Sequence, residues 1–495
     1  ALAKIGEEPA ITEKSFERFL KSSEQEVAET AALSLGILAA PECSEPLAQL
    51  LRDDEPGRAL VARKEVPWRT RAFAAYGLGL LGARTIDPEL RNVVQEALLA
   101  YLRGAQRSAS RDVRVAAIVA LGLIPDPDRR AARELEAYFA ANRKKEETIC
   151  AHVPTSIAKL LRESGPAERQ RYALTCVEEL RAGGKAEPQL RPSFAVALGL
   201  LTRAEDPFAK DVAAAIAEKV DRDSSKNPVL AYLGLMALGE IAGTGAPGGE
   251  IERYLLLKAQ TRGGRVMTRA WAALALGVAG FDQNQARRQL ANDAVGSALA
   301  DMMRDEVRDP EQLAAYALAL GLLRYENGAG EVRRALERVK DDAYRGYFAV
   351  ALGLMDDKAS IEPIQALVKR ALHRPDLLRD ASVALGLMGD KRIVRALTDL
   401  LANRESTTLA VQAAVATALG FVGDRTSVAP LLGMLADAKK ALSSESRAFA
   451  AVALGMVADK EQLPWNFKIS SDLNYFAMVA TLNDPGTMTG ILNLL

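Results

Sequence analysis

The tripeptide Ala-Leu-Gly, or a close variant, recurs along this chain, and no other feature constrains the fold as much. Glycine holds this setting at Gly36, Gly79, Gly122, Gly199, Gly239, Gly277, Gly321, Gly353, Gly386, Gly420 and Gly455. Successive glycines are 43, 43, 77, 40, 38, 44, 32, 33, 34 and 35 residues apart. Such periods mark stacked supersecondary units, each too small to bury its own apolar face. Inside a helix, glycine costs about 1 kcal/mol relative to alanine. Eleven repetitions of that choice imply a packing reason, the simplest being a neighbouring helix that comes too close for a side chain.

Residues 381–402, ASVALGLMGDKRIVRALTDLLA, carry the clearest copy of the unit. Val383, Leu385, Leu387 and Met388 give one helix an apolar face. Ile393, Val394, Leu397, Leu400 and Leu401 recur at spacings of three and four, giving a second helix its stripe. Gly389 suits the left-handed residue that ends the first helix, and Asp390 the acceptor that opens the second. The fold class expected is all-α, an α-solenoid of about 12–13 two-helix repeats.

The 77-residue gap hides one degenerate unit, and Ser156-Ile157-Ala158-Lys159-Leu160-Leu161 fits, with Lys159 in the glycine slot. That gives twelve units and makes Lys159 the expected weak joint. A thirteenth is truncated: Ala1-Leu2-Ala3-Lys4-Ile5-Gly6 reads as the end of a first helix. The chain thus starts inside a unit and without methionine. Residues upstream are expected, and neither targeting nor localisation can be read.

On these residues the chain resembles the HEAT-repeat proteins, of the subtype with short HEAT-like repeats found in phycobilisome lyases. The family pattern, A-L-G-x-L-G-D followed by x-x-V-x-x-L-x-x-L-L, matches best from Ala384 to Leu401 and again from Ala418 to Leu432. The resemblance covers essentially 1–460, here taken as the solenoid, and it speaks to architecture rather than function. It implies a ladder of arginines near the start of each first helix, bonded to turns of adjacent repeats. Arginine stands eight residues before the glycine at Arg71, Arg114, Arg191, Arg269, Arg345 and Arg447. Deoxyhypusine hydroxylases share the architecture but hold iron on His-Glu dipeptides, and this chain contains none. Bilin lyases share it too, with an apolar pocket that has no sharp motif.

Departures from the repeat are where specificity is expected. Insertions at Arg52–Thr70, Ala182–Pro192, Asp221–Pro228 and Gly243–Gly249 are rich in glycine, proline and polar residues and read as loops at unit edges. From Lys460 the pattern stops, and Trp465, Phe467, Tyr475 and Phe476 gather in a chain only 5% aromatic. Residues 461–495 read as a segment capping the last unit.

Charge excludes one class of partner. The chain has 64 basic and 64 acidic residues, whereas a solenoid tracking a nucleic-acid backbone needs a basic excess. No apolar stretch approaches the 18 or so residues of a membrane helix. Cys43, Cys150 and Cys176 have neither disulfide nor zinc spacing. The two histidines, His152 and His373, support no catalytic set, and no catalytic, metal or cofactor residue is proposed from the sequence. The function expected is a non-enzymatic protein-protein interaction scaffold or assembly subunit offering an extended concave surface. The alternative is a ligand-binding or lyase-type protein with an apolar pocket between repeats. The partner's identity and the oligomeric state are not readable from these residues.

Overall fold

The computed structural model describes residues 3, 9–104, 110–182, 190–223, 226–261, 266–287, 293–305, 309–402, 408–436 and 442–458. Every regular element among them is helical. Twelve of the helices contain the glycine motif or its degenerate copy and form one continuous stack. In order they are Gln25–Leu38, Trp68–Arg84, Arg111–Leu123, Val153–Leu161, Leu190–Leu201, Pro228–Gly243, Val266–Arg287, Pro310–Leu322, Asp342–Leu354, Pro375–Leu387, Leu409–Val422 and Ser444–Ala458. Each packs on the one before and the one after. A second helix follows each of the first eleven and packs chiefly against the next first helix, forming an outer layer that is less closely packed along the array. Pro9–Leu20 stands before the first motif helix and packs against it. Ala3 is helical and buried. The capping segment from Lys460 lies outside the described residues.

The first helices are rich in alanine and leucine because they are buried almost all round. In Pro228–Gly243, only positions 228, 229, 233, 236 and 240 keep appreciable exposure, and the last four lie on one stripe. Proline and an Asx cap start two of them: Asn227 accepts from the Leu230 amide at 3.1 Å, and Asp309 from Glu311 at 3.0 Å. At the 381–402 unit, Gly389 adopts φ +74° and Asp390 accepts from the Arg392 amide at 3.2 Å, both as the sequence predicts.

The glycines have the packing reason expected of them. A methyl group on Gly79 would lie 2.8 Å from Ala120 Cα, on Gly277 2.7 Å from Ala319 Cα, and on Gly353 2.9 Å from Ala384 Cα. Along most of the stack each glycine rests on the residue two positions before the next glycine. The register changes at the C-terminal joints, where Gly386 faces Val422 and Gly420 faces Met456.

The same rule corrects the degenerate unit. Gly122 rests on Ser156, 2.9 Å from its Cα, so the glycine slot two residues on is Ala158, not Lys159. Ala158 is fully buried while Lys159 keeps some exposure. The joint therefore carries one methyl group in the seam rather than a buried charge, and the weak joint expected at Lys159 is not there.

The insertion at Arg52–Thr70 is also not a loop. It holds an additional helix, Glu55–Val61, packed on Ser44–Arg52. Asp54 caps it by accepting from the Gly57 amide at 2.9 Å, and Pro56 occupies the first turn, where its missing N–H costs nothing.

Four of the six repeated arginines bond the end of the preceding second helix. Arg71 Nε donates to the Leu51 carbonyl at 3.0 Å, Arg191 Nη2 to Ala182 at 2.9 Å, Arg269 Nε to Ala259 at 3.2 Å and Arg447 Nε to Leu435 at 3.3 Å. The last carbonyls of a helix lack intrahelical donors and carry partial negative charge, so a guanidinium there ties one unit to the next. Arg114 instead ion-pairs with Glu146 at 2.7 Å.

Candidate interaction surface

The stripe left exposed on the first helices forms a surface common to all units. Its best marker is the residue immediately after the glycine slot. In ten of the twelve units that residue is apolar; the exceptions are Lys159 and Glu240. Ile37, Leu123, Leu200, Val278, Leu354 and Leu387 are partly exposed, whereas Leu80 and Leu322 are buried. A single exposed leucine needs no explanation. A row of them at the same register on packed helices makes an apolar strip, interrupted at Leu80, Lys159, Glu240 and Leu322.

Glu240 breaks that strip conspicuously. Its carboxyl packs over Gly199, and Oε2 is sealed from solvent with no hydrogen-bond partner among the described residues. Asp282, on the next first helix, packs over Gly243 in the same manner. Burial, with the nearby Asp282 adding to it, pushes the Glu240 pKa up to about 8. Burial alone pushes Asp282 up to about 6. Both shifts express the cost of holding an ionised carboxylate out of water without a cation.

A second feature sits on the outer layer, at the Gly243–Gly249 insertion. This turn is anchored to both neighbouring units. Thr244 Oγ1 accepts from the Ala204 amide at 2.7 Å. Glu252, held by the Gly248 amide at 2.8 Å, accepts from Gln283 Nε2 at 2.6 Å. The loop carrying Ala204 is itself fixed by a buried ion pair. Arg169 Nη2 donates to Asp206 Oδ1 at 2.7 Å, and Nη1 donates to the Leu201 carbonyl at 3.0 Å. Between the helices Ala209–Asp223 and Glu250–Gln260 this leaves a cleft of about 480 Å³. Ala213, Ala217, Leu238 and Ala242 floor it, and Tyr254 forms a wall. Tyr254 is oriented by its hydroxyl, which donates to Asp221 at 2.8 Å.

Other features singled out in the sequence are dispersed. Cys43, Cys150 and Cys176 are separately buried thiols. His152 is held in apolar surroundings, and burial lowers its pKa to about 4, so it is neutral at physiological pH. His373 lies in an exposed turn far along the chain. No group of three or more potential metal ligands occurs among the described residues. The local basic clusters are paired: Arg129 with Glu168, Arg130 with Glu96, Arg143 with Glu179. Each of these three pairs joins successive units. None of the described helices is long and apolar enough to cross a membrane. The insertion at Ala182–Pro192 is described only at its ends, and the aromatic segment not at all.

No family model and no curated protein matches the sequence. Structural similarity is found to long helical arrays. A chain of a homology model of the full-length AP-3 complex is 10% identical, with 90% of this chain and 91% of that chain covered at a TM-score of 0.31. A chain from the structure of Kap95p with RanGDP is 14% identical, covering 91% of this chain and 66% of that one at 0.41. Importin beta is 13% identical, covering 91% and 81% at 0.38. Similarity at this level transfers no function, and the phycobilisome-lyase subtype finds no support in it. From its own repeat geometry, the chain is an all-α solenoid of HEAT-like two-helix units.

Proposed function

We propose that this protein is a non-enzymatic scaffold that binds a protein partner along the exposed face of its first helices. The observation that carries this reading is the apolar strip, repeated at the same register in most units on helices whose middle portions are largely buried. Stacked repeats create long surfaces of this kind, and affinity is then spread over many small contacts. Single substitutions in the strip should accordingly weaken binding without abolishing it. A photo-crosslinking amino acid at Leu354, on the strip, should join the protein to a discrete partner in extracts of its source. The same group at Arg395, on an outer helix and highly exposed, should not. Crosslinking from Arg395 alone would overturn the reading.

A second reading, in which the protein binds a small apolar ligand between repeats, is supported by the alanine-floored cleft beside Tyr254. Its volume is in the range of small-molecule sites. Native mass spectrometry of the purified protein, or absorbance above about 350 nm from a conjugated chromophore, tests it directly.

A further inference from the structure

The acidic break in the apolar strip identifies the chemistry of what docks there. Elsewhere in the molecule, buried acidic groups have partners of their own. Asp206 is paired with Arg169, Glu29 with Arg69 and Asp380 with Arg379. Asp126 accepts backbone amides from Arg130 and Ala132. Glu240 and Asp282 have no cation among the described residues, although both carboxyls lie against the backbone of a preceding helix. Their surroundings on the same face are Leu200, Met236, Val278 and Phe281, all partly exposed. Where Glu240 stands, ten other units carry an apolar residue and one carries Lys159, so an apolar residue fits the position and the acid is not needed for packing.

We propose that this segment of the strip receives a protein segment presenting a lysine or arginine between apolar side chains, the cation closing on Glu240 and Asp282. The proposal rests on the scaffold reading and specifies one part of its surface. A cation inserted here supplies the missing partner for both carboxyls, and the apolar flanks exclude water from the pair, which strengthens it. Binding would shift Glu240 toward its ionised form, so association should release a proton near neutral pH.

The test uses two labelled amphipathic peptides of about 14 residues, roughly four helical turns, one built of leucine and lysine and one of leucine and glutamate. Binding is followed by fluorescence anisotropy. The double variant Glu240→Leu/Asp282→Leu is compared with the wild type and with Glu337→Leu/Asp399→Leu, which removes the same charge from exposed outer-helix positions. Circular dichroism checks that all three are equally helical. The expected result is that the leucine–lysine peptide binds the wild type and the outer-helix variant equally, and the strip variant about tenfold or more weakly. The leucine–glutamate peptide should bind more weakly to the wild type and lose nothing in the strip variant. Equal affinity of the lysine peptide for wild type and strip variant would overturn the inference while leaving the scaffold reading intact. Failure of both peptides to bind the wild type would count against the scaffold reading as well.

Discussion

Replacing Gly353 with alanine tests the central packing argument, because two opposing effects are both visible at that site. Inside a helix the change should gain about 1 kcal/mol in propensity. Here, however, the new methyl group would lie 2.9 Å from both the Cα and the carbonyl oxygen of Ala384, and 3.2 Å from Leu387 Cδ1. Leu387 can rotate away, but the backbone of the Pro375–Leu387 helix cannot. Overpacking of this kind costs about 1–3 kcal/mol, and a backbone obstacle places it toward the upper end. The expected net result is a loss of about 1–2 kcal/mol. Gly433 is the internal control: it is exposed in the outer helix Val428–Ala436 with nothing within 4 Å of its missing side chain. Gly433→Ala should therefore gain about 1 kcal/mol. Urea unfolding followed by circular dichroism measures both variants. Hydrogen exchange locates the effect, because an array with nearest-neighbour coupling need not unfold in one step. If Gly353→Ala were as stable as the wild type, or shifted in the same direction as Gly433→Ala, the glycines would be a compositional habit and not a seam.

Arg169→Met should lose about 3–5 kcal/mol, since it strands Asp206 in the interior without its cation. Urea midpoints together with exchange at residues 203–206 test this, and a loss within the range of a surface pair, under about 1 kcal/mol, would refute the buried role. Arg269→Ala should cost about 0.3–1 kcal/mol and speed exchange at the C-terminal turn of Glu250–Gln260; unchanged exchange there would show that the arginine ladder does not hold the outer helices. Between about pH 5 and 8, the folded chain retains a proton on Glu240, whose pKa is pushed up to about 8 against an ordinary 4.5. The unfolded chain has already released that proton, so stability should fall as pH rises through this window. Glu240→Gln should flatten the slope of melting temperature against pH, and an identical slope would mean that the side chain is ionised and solvated. His152, with its pKa lowered to about 4, contributes no slope above its ordinary titration range and acts only as the medium turns acid.

Much of the fold is legible in the sequence because each unit repeats the same local solution. The Gly389-Asp390 turn and the close approach at the glycines follow from residue type and period alone. The error at Lys159 has a definite origin. Replacing glycine by alanine at position 158 leaves the motif without its marker, and only the contact of Gly122 with Ser156 restores the register. Pro56-Gly57 read as a loop because both residues break helices in their interior, yet Pro56 lies in a first turn, where it favours one. The cleft beside Tyr254 was not legible. It needs small residues from Ala209–Asp223, a wall from Glu250–Gln260 and an insertion pinned to units on either side. Glu240 was findable, since aligning the residue after each glycine slot exposes it as an acid in an otherwise apolar column.

The glycine seam also has a geometric consequence for the whole array. It brings the first helices close together, while the outer helices, whose contacts include full side chains, remain less closely packed along the array. Each unit is therefore tapered, like the stones of an arch, with its narrow end at the first helices. Stacked tapers should turn the array toward that end, which would set the apolar strip on the inside of the curve. Ala158 makes one stone slightly wider at its narrow end, so the arch should be flatter between the Val153–Leu161 and Leu190–Leu201 helices than on either side.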